Sequence, residues 1–309
     1  MSLRPRVGVL YNPTTPALMD HAGALVEHVS VMPDRLWFDF GHEAPRGRRF
    51  RRAADAFARL IADAGDRPIS GHGLGLSLPS AMPLDEEMVS AVAGVARDLG
   101  GFAWHSEHLN LFIAPRSSVP NAQAGLGLPV VYDEESYALI ADKLDRVAAA
   151  LGCPVLLENG SFFTPVPDLD LDEPAFLNRL YREGHGGVLL DLHNLLVSAR
   201  NDGADPVAYL DALDLDAVVE VHLAGGGVHD GFYMDSHSSF TPPEVWELAA
   251  RYLPRCRRLR AITFEYQESY FADLGLPGLA AELERIHALA DACAEACAGT
   301  QRAEVARAG

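Results

Sequence analysis

Seven short segments of this chain carry His, Asp, Glu or Asn, spaced about as far apart as the strands of a β/α barrel. They are Gly71-His72-Gly73, Ser106-Glu107-His108-Leu109, Leu157-Glu158-Asn159-Gly160-Ser161 and Leu190-Asp191-Leu192-His193-Asn194. Val221-His222-Leu223-Ala224-Gly225, Asp235-Ser236-His237 and Thr263-Phe264-Glu265-Tyr266 complete the set. Most follow an apolar run, so each polar side chain falls where a buried strand ends. Imidazoles and carboxylates gathered at one barrel rim suit Fe, Mn, Co or Zn, and the lack of motif cysteines disfavours structural zinc. The chemistry expected of such a rim is metal-dependent catalysis.

Taken singly, each residue has a plainer role. A His at a strand end is commonly a hydrogen-bonded core residue, and Asp235 fits a turn. The count decides, because burying so many ionisable groups at one barrel end without a cation is strongly unfavourable. The candidate ligands are His72, His108, Glu158, Asp191, His193, His222, Asp235, His237 and Glu265. That is more than one ion needs, which implies two or three ions with a bridging carboxylate. Glu158, on the middle strand, is the expected bridge, and Glu158, Asp191 and His193 are the catalytic candidates. His105 stays open between the rim of His108 and another direction. His21, His28, His42, His185, His229 and His287 fall off the pattern and are assigned to surface or packing.

These residues need a scaffold. Apolar runs at 6–12, 29–40, 68–72, 102–108, 155–157, 188–190, 217–223 and 261–265 read as eight strands, the second broken by Pro33. Helical patterns lie between them at about 17–26, 50–64, 84–99, 133–151, 173–182, 206–212 and 242–253, with a last one at 279–298. Eight strands alternating with helices predict one (β/α)8 TIM barrel over residues 1–309, with a tail at about 299–309 lacking order. An open doubly wound sheet would bring a glycine-rich loop after the first strand, and Tyr11-Asn12-Pro13-Thr14 is not one. Residues 110–131 show little periodicity and read as a lid or binding loop.

The apolar fraction of 49% is ample for such a core. A net charge of -18 argues against non-specific nucleic-acid binding. The cluster Arg46, Arg48, Arg49, Arg51 and Arg52 reads as a solvated helix start in preference to a docking patch. Cys153, Cys256, Cys293 and Cys297 fit neither a disulfide framework nor a zinc ribbon, and packing is their expected role. No segment suits a signal peptide or a membrane span, and the expected compartment is the cytoplasm.

Together the motifs resemble the family of multinuclear non-haem iron-dependent oxidative enzymes, and the match covers nearly the whole chain. The resemblance rests on His-Gly-Leu-Gly-Leu-Ser at 72–77, Ser-Glu-His-Leu at 106–109, Leu-Leu-Glu-Asn at 156–159 and Leu-Leu-Asp-Leu-His-Asn at 189–194. Val-His-Leu-Ala-Gly at 221–225, Asp-Ser-His at 235–237 and Phe-Glu-Tyr at 264–266 continue it. It implies a sugar-isomerase-like barrel with two or three irons held by His72, His108, Glu158, Asp191, His222, Asp235, His237 and Glu265. His193 stands where the family usually has Asn, whereas Asn194 matches. Departures at Gly160, at 33–37 and at Tyr266-Gln267 bear on the substrate pocket.

Such relatives oxidise a cysteine, or the neighbouring backbone, of a ribosomally made precursor peptide with O2. Many work with a partner protein that delivers the leader segment. Two alternatives share barrel and ligand types. A metal-dependent hydrolase of the abasic-site endonuclease kind is disfavoured by the acidic charge. A sugar isomerase or epimerase would gain from a catalytic lysine, and the one lysine, Lys143, falls mid-helix. A non-catalytic barrel is weak against so full a ligand set.

Overall fold

The structure, a computed structural model, describes residues 4–113, 123–163 and 170–308. Eight strands form a closed, all-parallel barrel: β1 (Arg6–Leu10), β2 (His28–Val31), β3 (Ile69–Gly73), β4 (His105–His108), β5 (Val155–Glu158), β6 (Gly187–Asp191), β7 (Val218–Leu223) and β8 (Ala261–Phe264). Each pairs with its neighbours in sequence, and β1 closes the ring against β8. Around it run α1 (Thr15–Ala22), α2 (Ala54–Ala64), α3 (Glu86–Asp98), α4 (Glu134–Leu151), α5 (Glu173–Glu183), α6 (Leu192–Asp202), α7 (Pro206–Ala212), α8 (Pro243–Tyr252) and α9 (Phe271–Ala308). No helix among the described residues is long and apolar enough to cross a membrane.

The period-two alternation of the strands sorts the interior into two parts. Val155, Leu157, Val188, Leu190, Ile262 and Phe264 face outward and join the helices in the main core. Burying each such side chain contributes on the order of 1.5–3 kcal/mol. The residues between them face inward, where Trp104, Leu156, Leu189 and Ala261 form a separate apolar cluster. Above it the inward positions turn polar. At Gly8 a Cβ would lie 2.9 Å from Thr263 Oγ1 and 3.0 Å from His28 Cδ2, so the absent side chain makes room for both. Asp85, Asp133 and Asp172 cap α3, α4 and α5 by accepting from the backbone N–H of Met88, Ser136 and Ala175.

Three expectations about local structure change. The strand expected over 29–40 ends at Val31, because Pro33 opens a 3-10 turn (Pro33–Leu36), and Trp37–Asp39 then pairs antiparallel with Phe50–Arg52. The arginine cluster therefore lies on a hairpin and not at a helix start. Arg49 is buried, pairs with Asp39 at 2.9 Å and Asp85 at 2.5 Å and stacks on Phe50. Residues 110–131 are not wholly irregular, since Leu111–Ile113 pairs with Gln123–Leu128. All four cysteines are free, with Cys256 and Cys293 buried.

Candidate metal centre

The strand ends converge. His72 is the penultimate residue of β3 and His222 the penultimate of β7. His108, Glu158 and Asp191 end β4, β5 and β6, and Glu265 follows β8 directly. Three overlapping groups of potential ligand atoms result: His72, His222 and Glu265; His72, His108 and Glu158; Glu158, Asp191 and His222. Within each, the atoms lie within 4.8 Å of one another.

The distances fit shared ions. His108 Nε2 is 3.1 Å from both His72 Nε2 and Glu158 Oε2. His222 Nδ1 is 3.1 Å from Glu265 Oε1. Two ligand atoms about 2.1 Å from one ion, at right angles across it, are about 3.0 Å apart. Glu158 Oε2, Asp191 Oδ2, Asn194 Oδ1, His222 Nδ1 and Glu265 Oε1 are buried and form no aligned hydrogen bond. Buried polar atoms are ordinarily satisfied, so a convergent set of orphans fits a group supplied from outside.

The surrounding contacts fix which atom each side chain presents. Ser106 Oγ donates to the Gly71 carbonyl at 3.2 Å, so it accepts from His72 Nδ1 at 2.9 Å and leaves the His72 Nε2 lone pair for the cluster. Asp191 Oδ1 caps α6 by accepting from the Asn194 N–H at 2.7 Å, which turns Oδ2 inward. The Asn194 amide donates to Glu158 Oε1 at 3.2 Å. Asn159 clamps the Asp191 backbone through both amide atoms.

Asp235 and His237 arrive on the loop after β7. Gly225 and Gly226 admit it: a Cβ at Gly226 would sit 2.0 Å from the Met234 carbonyl, and one at Gly225 would sit 2.2 Å from the Phe240 carbonyl. His237 holds φ at +49°, a left-handed value that costs a non-glycine residue on the order of 1–3 kcal/mol. That conformation brings His237 Nε2 to 3.0 Å from Asp235 Oδ1 and 3.4 Å from Glu265 Oε2.

One residue is placed otherwise than expected. His193 donates no free nitrogen to the cluster, because Nδ1 meets Asp235 Oδ1 at 2.8 Å and Nε2 meets the Tyr233 hydroxyl at 3.2 Å. It positions Asp235, while Asn194 lines the cavity with its Oδ1 unpaired. His105, left open by the sequence, is buried on the outer face of β4 away from the cluster, where it stacks with Phe102 and meets Glu107 at 2.8 Å. Lys143 is spent on the carbonyls of Leu78, Ser80 and Met82.

Sequence reasoning missed Glu220. It is fully buried inside the barrel, and its place two residues before His222 on one strand face was the signal available.

The electrostatics are those of a crowded site. Burial pushes the Glu158 carboxyl well up, and Asp191, Glu265 and Asp235 add to this against the pull of His222. Burial, with Asp235 and Glu265, raises Asp191 to about 6. Burial also lowers His108 to about 4. His72 falls well below the imidazole range through burial and the neighbouring His108 and His222. Burial opposes charge on His237, yet Asp235 and Glu265 hold it up at about 10. Ion binding would displace protons from such a set.

A cavity of about 370 Å³ opens over the cluster, walled by Tyr11, Met32, Arg35, Asn110, Phe163 and Met234. The sequence matches the RiPP precursor modification enzymes MbnB/TglH/ChrH over residues 24–291. The chain belongs to that family. Its members modify ribosomally made precursor peptides, and this chain is an enzyme of that peptide-modifying class. A UPF0276 protein of Anaeromyxobacter sp. (strain Fw109-5) is 33% identical over 239 residues, covering 76% of this chain and 80% of the relative. One from Caulobacter vibrioides (strain NA1000 / CB15N) is 33% identical over 223 residues, covering 71% and 76%. Among solved structures, D-psicose 3-epimerase from Clostridium cellulolyticum H10 superposes with a TM-score of 0.55 at 10% identity, covering 94% of this chain and 99% of that one. A putative xylose isomerase from Rhodospirillum rubrum gives 0.53 at 18%, covering 91% and 97%. These likenesses establish the xylose-isomerase-like TIM barrel.

Proposed function

We propose that this enzyme is a multinuclear iron-dependent oxidase or oxygenase that uses O2 to modify a cysteine, or the adjoining backbone, of its precursor peptide. The observation that carries the reading is the convergence of three overlapping ligand groups, with orphaned buried oxygens and nitrogens, in a chain of this family. The assigned ligands are His72, His108, Glu158, Asp191, His222, Asp235, His237 and Glu265, with Glu158 as bridge and Asn194 in place of His193 as the adjoining donor. When bound, iron would supply the one-electron couple and the place for O2 and thiolate.

The chain's own residues do the rest. Asn194 orients Glu158, Ser106 orients His72, and His193 orients Asp235. The cavity lies over the cluster with a mixed lining, Tyr11, Met32, Phe163 and Met234 beside Arg35, Asn110 and Asn194, which suits a peptide segment with both apolar and amide surface. Arg35, ion-paired with Glu268 at 3.0 Å on the cavity edge, is placed to meet a peptide carbonyl or carboxylate. A separate leader-binding protein that presents the peptide is part of this reading.

The test is elemental analysis of protein purified without oxygen, followed by exposure to O2 with a short cysteine-bearing peptide, should one be found among the neighbouring coding sequences. Iron at two or three ions per chain and an oxygen-dependent mass change in the peptide are expected. Zinc at full occupancy, with an unaltered peptide, would overturn the proposal.

A further inference from the structure

Glu220 is a carboxylate with no route to water, on the inward face of β7 beneath His222. Two donors grip it. Thr263 Oγ1 donates to Oε1 at 2.6 Å, and Trp104 Nε1 donates to Oε2 at 2.5 Å. The indole is itself held, stacked on His28 at 5.0 Å and 16°, and His28 Nε2 lies 2.9 Å from Ser70 Oγ. Glu220 Oε1 then stands 3.5 Å from His222 Nε2, while the opposite ring nitrogen, Nδ1, stands 3.1 Å from Glu265 Oε1, and neither nitrogen makes an aligned hydrogen bond. The His222 ring thus spans two carboxylates, one below it and one at the rim.

An apolar residue would fill this place in the barrel at less cost, because a buried carboxylate is expensive unless its charge is used. We infer that Glu220 is a positioning residue whose charge, 3.5 Å from His222 Nε2, holds the ring proton on that nitrogen and so leaves the Nδ1 lone pair for the ions. Thr263, Trp104 and His28 hold the carboxylate still. The inference rests on the reading of the rim as a metal centre, and neither on iron nor on a peptide substrate. It makes the two neighbouring histidines opposite in sense: His72, through Ser106, presents Nε2, and His222, through Glu220, presents Nδ1.

The experiment titrates Co2+ into metal-free full-length protein, reading the visible absorption of the bound ion, for wild type, E220Q, H222N and the double variant. Removing an outer carboxylate of this kind is expected to weaken binding 10–100-fold and to shift the Co2+ spectrum. In the H222N background E220Q should add nothing further, because Glu220 acts through that ring. Wild-type affinity and spectrum in E220Q would overturn the inference, as would an equal loss in the H222N background, the mark of a purely structural role. Should E220Q not fold, T263V removes one of the two donors and is expected to give a smaller weakening with the same dependence on His222. A T263V protein that binds Co2+ as wild type does would then refute it. If wild type itself takes up no Co2+, the metal-centre reading falls first, which separates the two failures.

Discussion

Replacing Asp191 by Asn should stabilise the metal-free protein while it weakens metal binding. Asp191 is buried at the end of β6, and its pKa of about 6 compares with 3.8 for an ordinary aspartate. At about 1.4 kcal/mol per pH unit, ionising it in the fold costs about 3 kcal/mol more than in the unfolded chain. The sign follows from proton binding: the folded state holds the proton more tightly, so this contribution is intact below pH 3.8 and is lost as pH rises through 6. Asn keeps an oxygen to cap α6, the contact Oδ1 now makes with the Asn194 N–H, so the cap survives. Denaturant unfolding of chelator-treated protein at pH 7.5 should show D191N more stable than wild type by about 1–3 kcal/mol. The gap should close by pH 4. Saturating Co2+ should reverse the order, since a ligand at 1,000 times its Kd stabilises wild type by about 4.1 kcal/mol, and the more weakly binding variant by less. A D191N protein that is less stable at pH 7.5 without metal, or a gap indifferent to pH, would refute the reasoning.

Glu158 belongs to two of the three ligand groups, so E158Q is expected to lose at least one ion per chain by elemental analysis, and full retention would exclude it as the bridge. G226A drives a methyl group against the Met234 carbonyl and should destabilise by about 1–3 kcal/mol in a thermal melt, with loss of metal as the Asp235–His237 loop shifts. G94A, in the middle of α3 with its nearest contact at 3.8 Å, should do the opposite and stabilise by about 0.5–1 kcal/mol. Burial holds His28 neutral down to about 4, whereas an unfolded chain protonates it from 6.5, so acid favours unfolding through this ring. The stability gap between wild type and H28N should therefore shrink by about 3 kcal/mol between pH 7 and pH 4, and a gap that stays constant would show that His28 is protonated in the fold.

The barrel and six of the rim residues were legible because strand ends announce themselves: an apolar run stops and an imidazole or carboxylate follows, as at Leu157-Glu158 and Leu190-Asp191. What lay beyond the run was harder. Asp191 ends the strand and α6 begins at once, so each further residue turns about 100° around the helix axis. That rotation carries His193 away toward Tyr233 and brings Asn194 back to the cavity. Glu220 was hidden by its neighbours, since Val219 and Val221 make the strand read as uniformly apolar. The hairpin at Trp37–Asp39 and Phe50–Arg52 rests on a pairing across ten intervening residues that no local pattern encodes.

The candidate ligands are dealt out one strand end at a time from His72 to Glu265, and the first strand meets its second partner only when the eighth is in place. The complete set is present only once residue 265 has been added. A fragment that stops before β8 therefore lacks both the strand that closes the ring and Glu265, so the three overlapping ligand groups are a property of the closed barrel and of no part of it.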